Sequence, residues 1–190
     1  MTEEEIVQGC ISNDRRCQST LYKKYFPLLS SIALRYYDNQ DDALQAMNLG
    51  FLKVLNKIKT YDSKYALATW IRHILVNHII DDFRKTARYT EKTLITDFHD
   101  SNEQTSINLI EEKWEEEELR HMLEVLPLTT KNVFNLYAID GFKHKEIADM
   151  LGISEGTSKW HVSDARKKLK KQMEIKTIEN TPKVKVSNSN

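Results

Sequence analysis

Glycine occurs only 5 times and proline 3 times in the 190 residues, and this constrains the fold more than any other feature. Sandwiches and barrels need frequent turns built on these residues, so a chain this poor in them is expected to be mainly helical. Apolar residues supply 40% and charged residues 29%, enough for a packed core and too apolar for global disorder. Lys+Arg and Asp+Glu balance at 28 each, which argues against a chain basic throughout but leaves room for local basic patches. Cys10 and Cys17 cannot make a disulfide framework, so a reducing compartment is expected. The acidic start MTEEEI resembles no secretory signal, and no apolar run approaches the roughly 20 residues of a membrane span. A soluble, cytoplasmic, all-α protein is expected.

Two blocks can be separated. In the first, Leu21, Tyr25, Leu28, Leu29, Ile32 and Tyr36 recur at spacings of three and four, with Pro27 expected to kink or break the helix. Asp38–Gln40 reads as a turn, and Asp41 or Asp42 as the cap of a second helix reaching about Lys59. After a polar loop, Ile71, Ile74, Leu75, Ile79 and Phe83 mark a third helix. From Tyr89 the periodicity fades. Glu111–Glu118 then holds six glutamates in eight residues, either a solvated helix face or an acidic mimic competing with DNA. The expected organisation is two small helical domains, residues 1–88 and 119–173, joined by a flexible acidic linker at 89–118 and followed by a disordered tail at 174–190.

The second block contains the most informative stretch, HKEIADMLGISEGTSKWHVS at 144–163. Thr129 or Thr130 is expected to cap the helix before it, which Gly141 stops. A short helix over Lys143–Leu151, a turn at Gly152 and a helix capped by Ser154 meet the needs of a helix-turn-helix. Ser158, Val162, Ala165 and Leu169 step by four, three and four and should face inward, leaving Lys159, Trp160, Ser163, Arg166 and Lys167 off that stripe. Lys159 to Lys171 carries six Lys/Arg against one acid, Asp164, which suits a helix whose first turns meet base edges and whose basic end meets phosphates. Trp160 could touch a thymine methyl or pack on a neighbouring helix.

On the third helix of the first block, Trp70, His73, Asn77, Asp81, Arg84 and Arg88 form a polar stripe opposite the apolar one. Strand separation needs an aromatic surface, polar groups for exposed base edges, and cations for phosphates. The stripe, with Lys85 and Lys64 beside it, offers all three, although Trp70 alone would also suit the domain core.

The stretch 126–171 resembles region four of the extracytoplasmic-function (ECF) sigma factors of bacterial RNA polymerase, through Leu126, Pro127, Val133, Gly141, Glu146–Ala148, Leu151–Thr157, Lys159, Ala165, Arg166 and Leu169. LYKKYFPLLSSIALRYYDNQDDA, GFLKVLNKIKTYD and WIRHILVNHIIDDFRKTAR resemble region two of the same family in the correct order. The wording around Trp160 is similar to sigma factors of Bacteroidota. The resemblance implies that region two binds the polymerase clamp and opens the minus-ten element, with a flipped-base pocket in the loop 60–69, while region four reads the minus-thirty-five element. It further implies polymerase contacts at Asp42, Gln45, Asn48, Leu49, Leu52 and Lys53, and DNA contacts at His144, Lys145, Thr157, Lys159, Trp160, His161, Ser163, Asp164, Arg166 and Lys167.

Four positions depart from the family. Gln45 and Leu49 stand where acidic residues are frequent. Ser158 replaces an inward valine, and its hydroxyl is expected to bond a carbonyl one turn earlier. Asp164 lies on the DNA face, where it would read a cytosine amino group or lower affinity. The expected partners are core RNA polymerase, promoter DNA and an anti-sigma factor. No small-molecule substrate, cofactor, metal or catalytic residue is expected, because the six histidines lack ligand spacing and no phosphate loop or nucleophile motif stands out. The rival readings are a stand-alone helix-turn-helix regulator, which leaves the first block unexplained, and a polymerase-binding protein that no longer reads DNA.

Overall fold

The computed structural model describes residues 1–89 and 116–179, with side chains at 1–85 and 120–174. Most of the expected linker, most of the acidic run, the Arg88 side chain and the last residues of the expected tail lie outside them. Among the described residues every regular element is helical: α1 (Glu3–Ile11), α2 (Arg15–Tyr36), α3 (Gln40–Lys57), α4 (Leu67–Tyr89), α5 (Glu116–Leu123), α6 (Leu128–Phe134), α7 (His144–Leu151) and α8 (Glu155–Glu179). A 3₁₀ turn at Ile58–Thr60 extends α3, and a π-helical turn at Asn135–Ile139 extends α6. Helix α8 thus passes the expected boundary at 173.

Helices α1–α4 form the first block. Thr2 and Glu5 make a reciprocal capping box on α1, and Asp14 caps α2 by accepting from the Arg16 and Cys17 amides. Helix α3 is capped by Asn39, which accepts from the Asp41 amide at 2.9 Å, rather than by Asp41 or Asp42. Both aspartates sit in the first turn instead, where the helix dipole favours them. Helix α2 runs unbroken through Pro27. Pro27 lies on the exposed side, while Leu21, Tyr25, Leu29 and Ile32 bury the opposite one, so packing outweighs the lost backbone bond. Gly50 lets α3 approach α4 closely, since a Cβ there would overlap the Leu75 side chain.

Helices α5–α8 form the second block. Met122, Leu123, Leu126, Phe134, Ala165 and Leu169 make one apolar cluster between α5, α6 and α8. Neither Thr129 nor Thr130 caps α6, whose first residue is Leu128. Thr130 is buried, with Oγ1 2.9 Å from His161 Nδ1 on α8. The other apolar residues of this block, Val133, Leu136, Phe142, Ile147 and Val162, belong to the same cluster as the core of the first block. The two blocks therefore pack on each other along α2 and α4.

Candidate nucleic-acid and polymerase interfaces

The helix-turn-helix is built as its residue types dictate. Gly152 ends α7 in the left-handed region at φ 71°, and its amide donates to the Ala148 carbonyl at 2.8 Å. Ser154 Oγ accepts from the Thr157 amide at 2.9 Å and so caps α8. Ser158, Val162, Ala165 and Leu169 are all buried, as their spacing requires. The Ser158 hydroxyl pairs with His144 Nδ1 at 3.0 Å on the facing helix, not with a carbonyl of its own helix.

That pairing turns His144 inward, where its ring stacks on Tyr137 at 4.3 Å with planes 15° apart. Burial, helped by the Lys159 charge, pushes its pKa below the ordinary imidazole value. His161 likewise faces Thr130, and burial lowers its pKa too. Lys145, Lys159 and Lys167 are exposed, and Thr157, Trp160, Ser163, Asp164 and Arg166 are half-buried. The Trp160 ring meets His161 edge-on at 4.9 Å. Asp164 is held by Lys168 one turn on, at 2.8 Å, so its charge is locally offset.

On α4, Trp70 is half-buried and leans on Tyr61 at 5.4 Å, with one side toward the core and the other toward a cleft of about 200 Å³. His73, Asn77 and Asp81 line the same cleft. Two lysines of α3, Lys53 and Lys57, close it from across the helix pair. Lys57 is not among the contacts expected from the sequence, and Lys53 is expected on the polymerase face. Their separation of four places both on one side of α3, and this was the available signal. Asn77 donates one N–H to the His73 carbonyl at 2.7 Å, leaving its Oδ1 and second N–H for another partner. Behind it, burial and then Lys53 lower the His78 pKa. Arg84 is half-buried and Lys85 exposed further along the helix. Lys64 stands apart in the preceding loop, highly exposed and 3.9 Å from Asp62.

Another face of α3 exposes Leu44, Leu49 and Leu52, with relative exposures of 48%, 46% and 53%. Asp42, Gln45 and Asn48 are exposed beside them, and Asn48 accepts a bond from the Tyr22 hydroxyl at 3.0 Å. Three exposed leucines on one helix form an apolar stretch of the kind that interaction surfaces use.

Two family models match the chain: Sigma-70 region 2 over residues 21–89 and Sigma-70 region 4 over residues 116–169. RNA polymerase sigma factor SigZ of Bacillus subtilis is 30% identical over 155 residues, covering 78% of this chain and 81% of that protein. ECF RNA polymerase sigma factor EcfG of Rhodopseudomonas palustris is 29% identical over 150 residues, covering 75% and 77%. The crystallised sigma factor RpoE of Bartonella quintana, in complex with the anti-sigma factor NepR, shares the fold with a TM-score of 0.50 at 20% identity, covering 83% of this chain and 96% of that one. The chain belongs to the sigma-70 family of RNA polymerase sigma factors, as an ECF-type member.

Proposed function

We propose that this sigma factor docks on core RNA polymerase through the exposed leucine face of α3 and opens promoter DNA over the α3–α4 cleft. The observation that carries this reading is the gathering of Lys53, Lys57, Trp70, His73 and Asn77 around one cleft, on a helix pair whose outer side is apolar. Cations neutralise the backbone of a displaced strand, Trp70 and His73 offer surfaces for unstacked bases, and Asn77 offers one donor and one acceptor to a base edge. The basic, exposed side of α8 reads the upstream duplex, with Lys159 and Trp160 in its first turns and Arg166 and Lys167 beyond. His144 and His161 support that helix from within the domain. The protein acts in the cytoplasm without catalysing a reaction itself. An anti-sigma factor, as crystallised with the sigma factor RpoE, is its proposed inhibitor.

Transcription in vitro with purified core polymerase and fragmented genomic DNA tests this. Run-off products absent with core alone and lost in a Lys53→Ala/Lys57→Ala/Asn77→Ala protein are expected. Duplex-specific binding at full strength without polymerase would instead support a stand-alone regulator.

A further inference from the structure

Asp164 is the one acid among the six Lys/Arg of Lys159–Lys171, on the helix proposed to meet the upstream duplex. It does not stand there as a bare charge. Lys168, one turn on, donates to Asp164 Oδ2 at 2.8 Å, and the Asp164 side chain is 20% exposed against 42% for Lys168. The pairing fixes the carboxylate and leaves Oδ1 as an acceptor. His161, three residues back, is engaged by Thr130 at 2.9 Å and does not compete for that oxygen.

The inward side of α8 sets where this acceptor sits. Ser158, Val162, Ala165 and Leu169 are buried and mark that side. Asp164 lies about 130° around the helix from the middle of their stripe, at about 100° per residue. Lys159 and Asp164 stand about 7.5 Å apart along the axis and about 140° apart around it. They therefore border the outward face from opposite sides, with Trp160 and Ser163 between them.

We propose that Asp164 is a base-reading residue that accepts a hydrogen bond at Oδ1 from the amino group of a cytosine in the upstream element, with Lys168 as its positioning residue. The assignment deepens the proposed function and rests on it. A carboxylate only accepts, so it discriminates among base edges by their donors. In the major groove cytosine offers its N4 amino group, with no acceptor of its own beside it. Adenine offers N6, but its N7 lone pair faces the second carboxylate oxygen. Guanine presents O6 and N7 and thymine presents O4, all acceptors, and these are repelled. The rival role for an acid on this face is a brake, which repels phosphates within a Debye length of about 8 Å. Lys168 removes most of that repulsion, because its ammonium offsets the charge at 2.8 Å while the acceptor remains. A helix pair serving stability alone would contribute little and would need no place on the outward face.

The test uses holoenzyme assembled from full-length protein and core polymerase. Bound fragments are selected from a duplex library randomised across the upstream element. Wild type should enrich cytosine over guanine at one position by about fivefold or more. Asp164→Ala should abolish that enrichment and leave the other positions unchanged. Asp164→Asn should move it toward adenine, whose N6 and N7 an amide meets with an acceptor and a donor. Lys168→Gln should lower the enrichment with cytosine still preferred, whereas a merely structural pair would weaken all positions alike. Circular dichroism checks the fold, and should Asp164→Ala lose helicity, Asp164→Asn, of the same size, carries the test. Wild-type preference at every position in both Asp164 variants would overturn the assignment alone. So would binding that rises equally on all sequences in Asp164→Ala, which would make Asp164 a brake. A wild-type holoenzyme with no upstream base preference at all would overturn the proposed role of α8 together with this assignment.

Discussion

His144 and Ser158 meet between the two helices of the helix-turn-helix, the imidazole Nδ1 lying 3.0 Å from the hydroxyl. Neutral imidazole suits this position, and burial lowers the pKa of His144 and also of His161 and His78 from the ordinary 6.5. The folded protein therefore binds fewer protons than the unfolded chain just below that value, so stability is full above it and falls on acidification. Melting temperature should drop as the pH falls below the ordinary imidazole value of 6.5. His144→Gln should flatten part of that dependence while keeping a hydrogen bond to Ser158. NMR titration of the three imidazoles checks the cause, and midpoints at or above 6.5 would refute it.

The Lys53–Lys57 pair gives a prediction specific to single strands. In the proposed reading each lysine meets one phosphate in the α3–α4 cleft, so each alanine substitution should reduce the salt slope of open-complex formation by about 0.7. Binding of closed, fully duplex promoter should change little. Filter binding of preformed holoenzyme to bubble and duplex templates across a salt series separates the two. Equal losses on both templates would place the lysines on duplex DNA instead.

Leu49 and Leu52 are exposed, so replacing them should spare the fold and damage the docking face. Leu49→Asp/Leu52→Asp should change unfolding free energy by no more than about 0.5 kcal/mol per site. Affinity for core polymerase should fall at least tenfold, about 1.4 kcal/mol. Interferometry on immobilised core polymerase reads the affinity, and urea unfolding reads the stability. Affinity retained in both substitutions would move the docking surface elsewhere on the first block.

The turn itself is open to test. Gly152→Ala forces a β-carbon into the left-handed region at φ 71° and should cost about 1–2 kcal/mol. Ser154→Ala removes the cap bond to the Thr157 amide and should cost about 1 kcal/mol. Because the two sites are adjacent, the double variant need not be additive. Urea unfolding followed by circular dichroism measures all three.

Periodicity made much of this fold legible. The inward stripe of α8 and the apolar face of α4 follow from spacing alone, and Ser154 and Gly152 announce the turn by their chemistry. The cap of α3 was misplaced by two or three residues because Asn39, Asp41 and Asp42 all have capping side chains, and only backbone geometry selects among them. His144 and His161 read as surface residues because nothing local shows that Ser158 and Thr130 sit opposite them. Lys57 was missed because the cleft exists only once α3 and α4 are side by side. Asp140 was passed over for a related reason: beside Gly141 it reads as a helix end, and its partners Arg35, Tyr36 and Arg72 lie far away in sequence.

The recognition helix should divide its work by position. Lys159 is exposed in the second turn of α8, near its capped start, where a side chain can enter the major groove. Arg166 lies two turns further on and half-buried, its guanidinium 6.0 Å from the Tyr137 ring, which aligns it with the domain surface rather than extending it freely. Lys159→Ala in the holoenzyme should therefore relax base preference at one or two upstream positions, with a loss of about 1–3 kcal/mol of discrimination there. Arg166→Ala should weaken all upstream sequences alike and lower the salt slope by about one. Selection of bound fragments from a randomised upstream library, repeated at two salt concentrations, distinguishes these outcomes. If both variants shift base preference at the same position, Arg166 is a base reader and the division between readers and phosphate clamps along α8 is wrong.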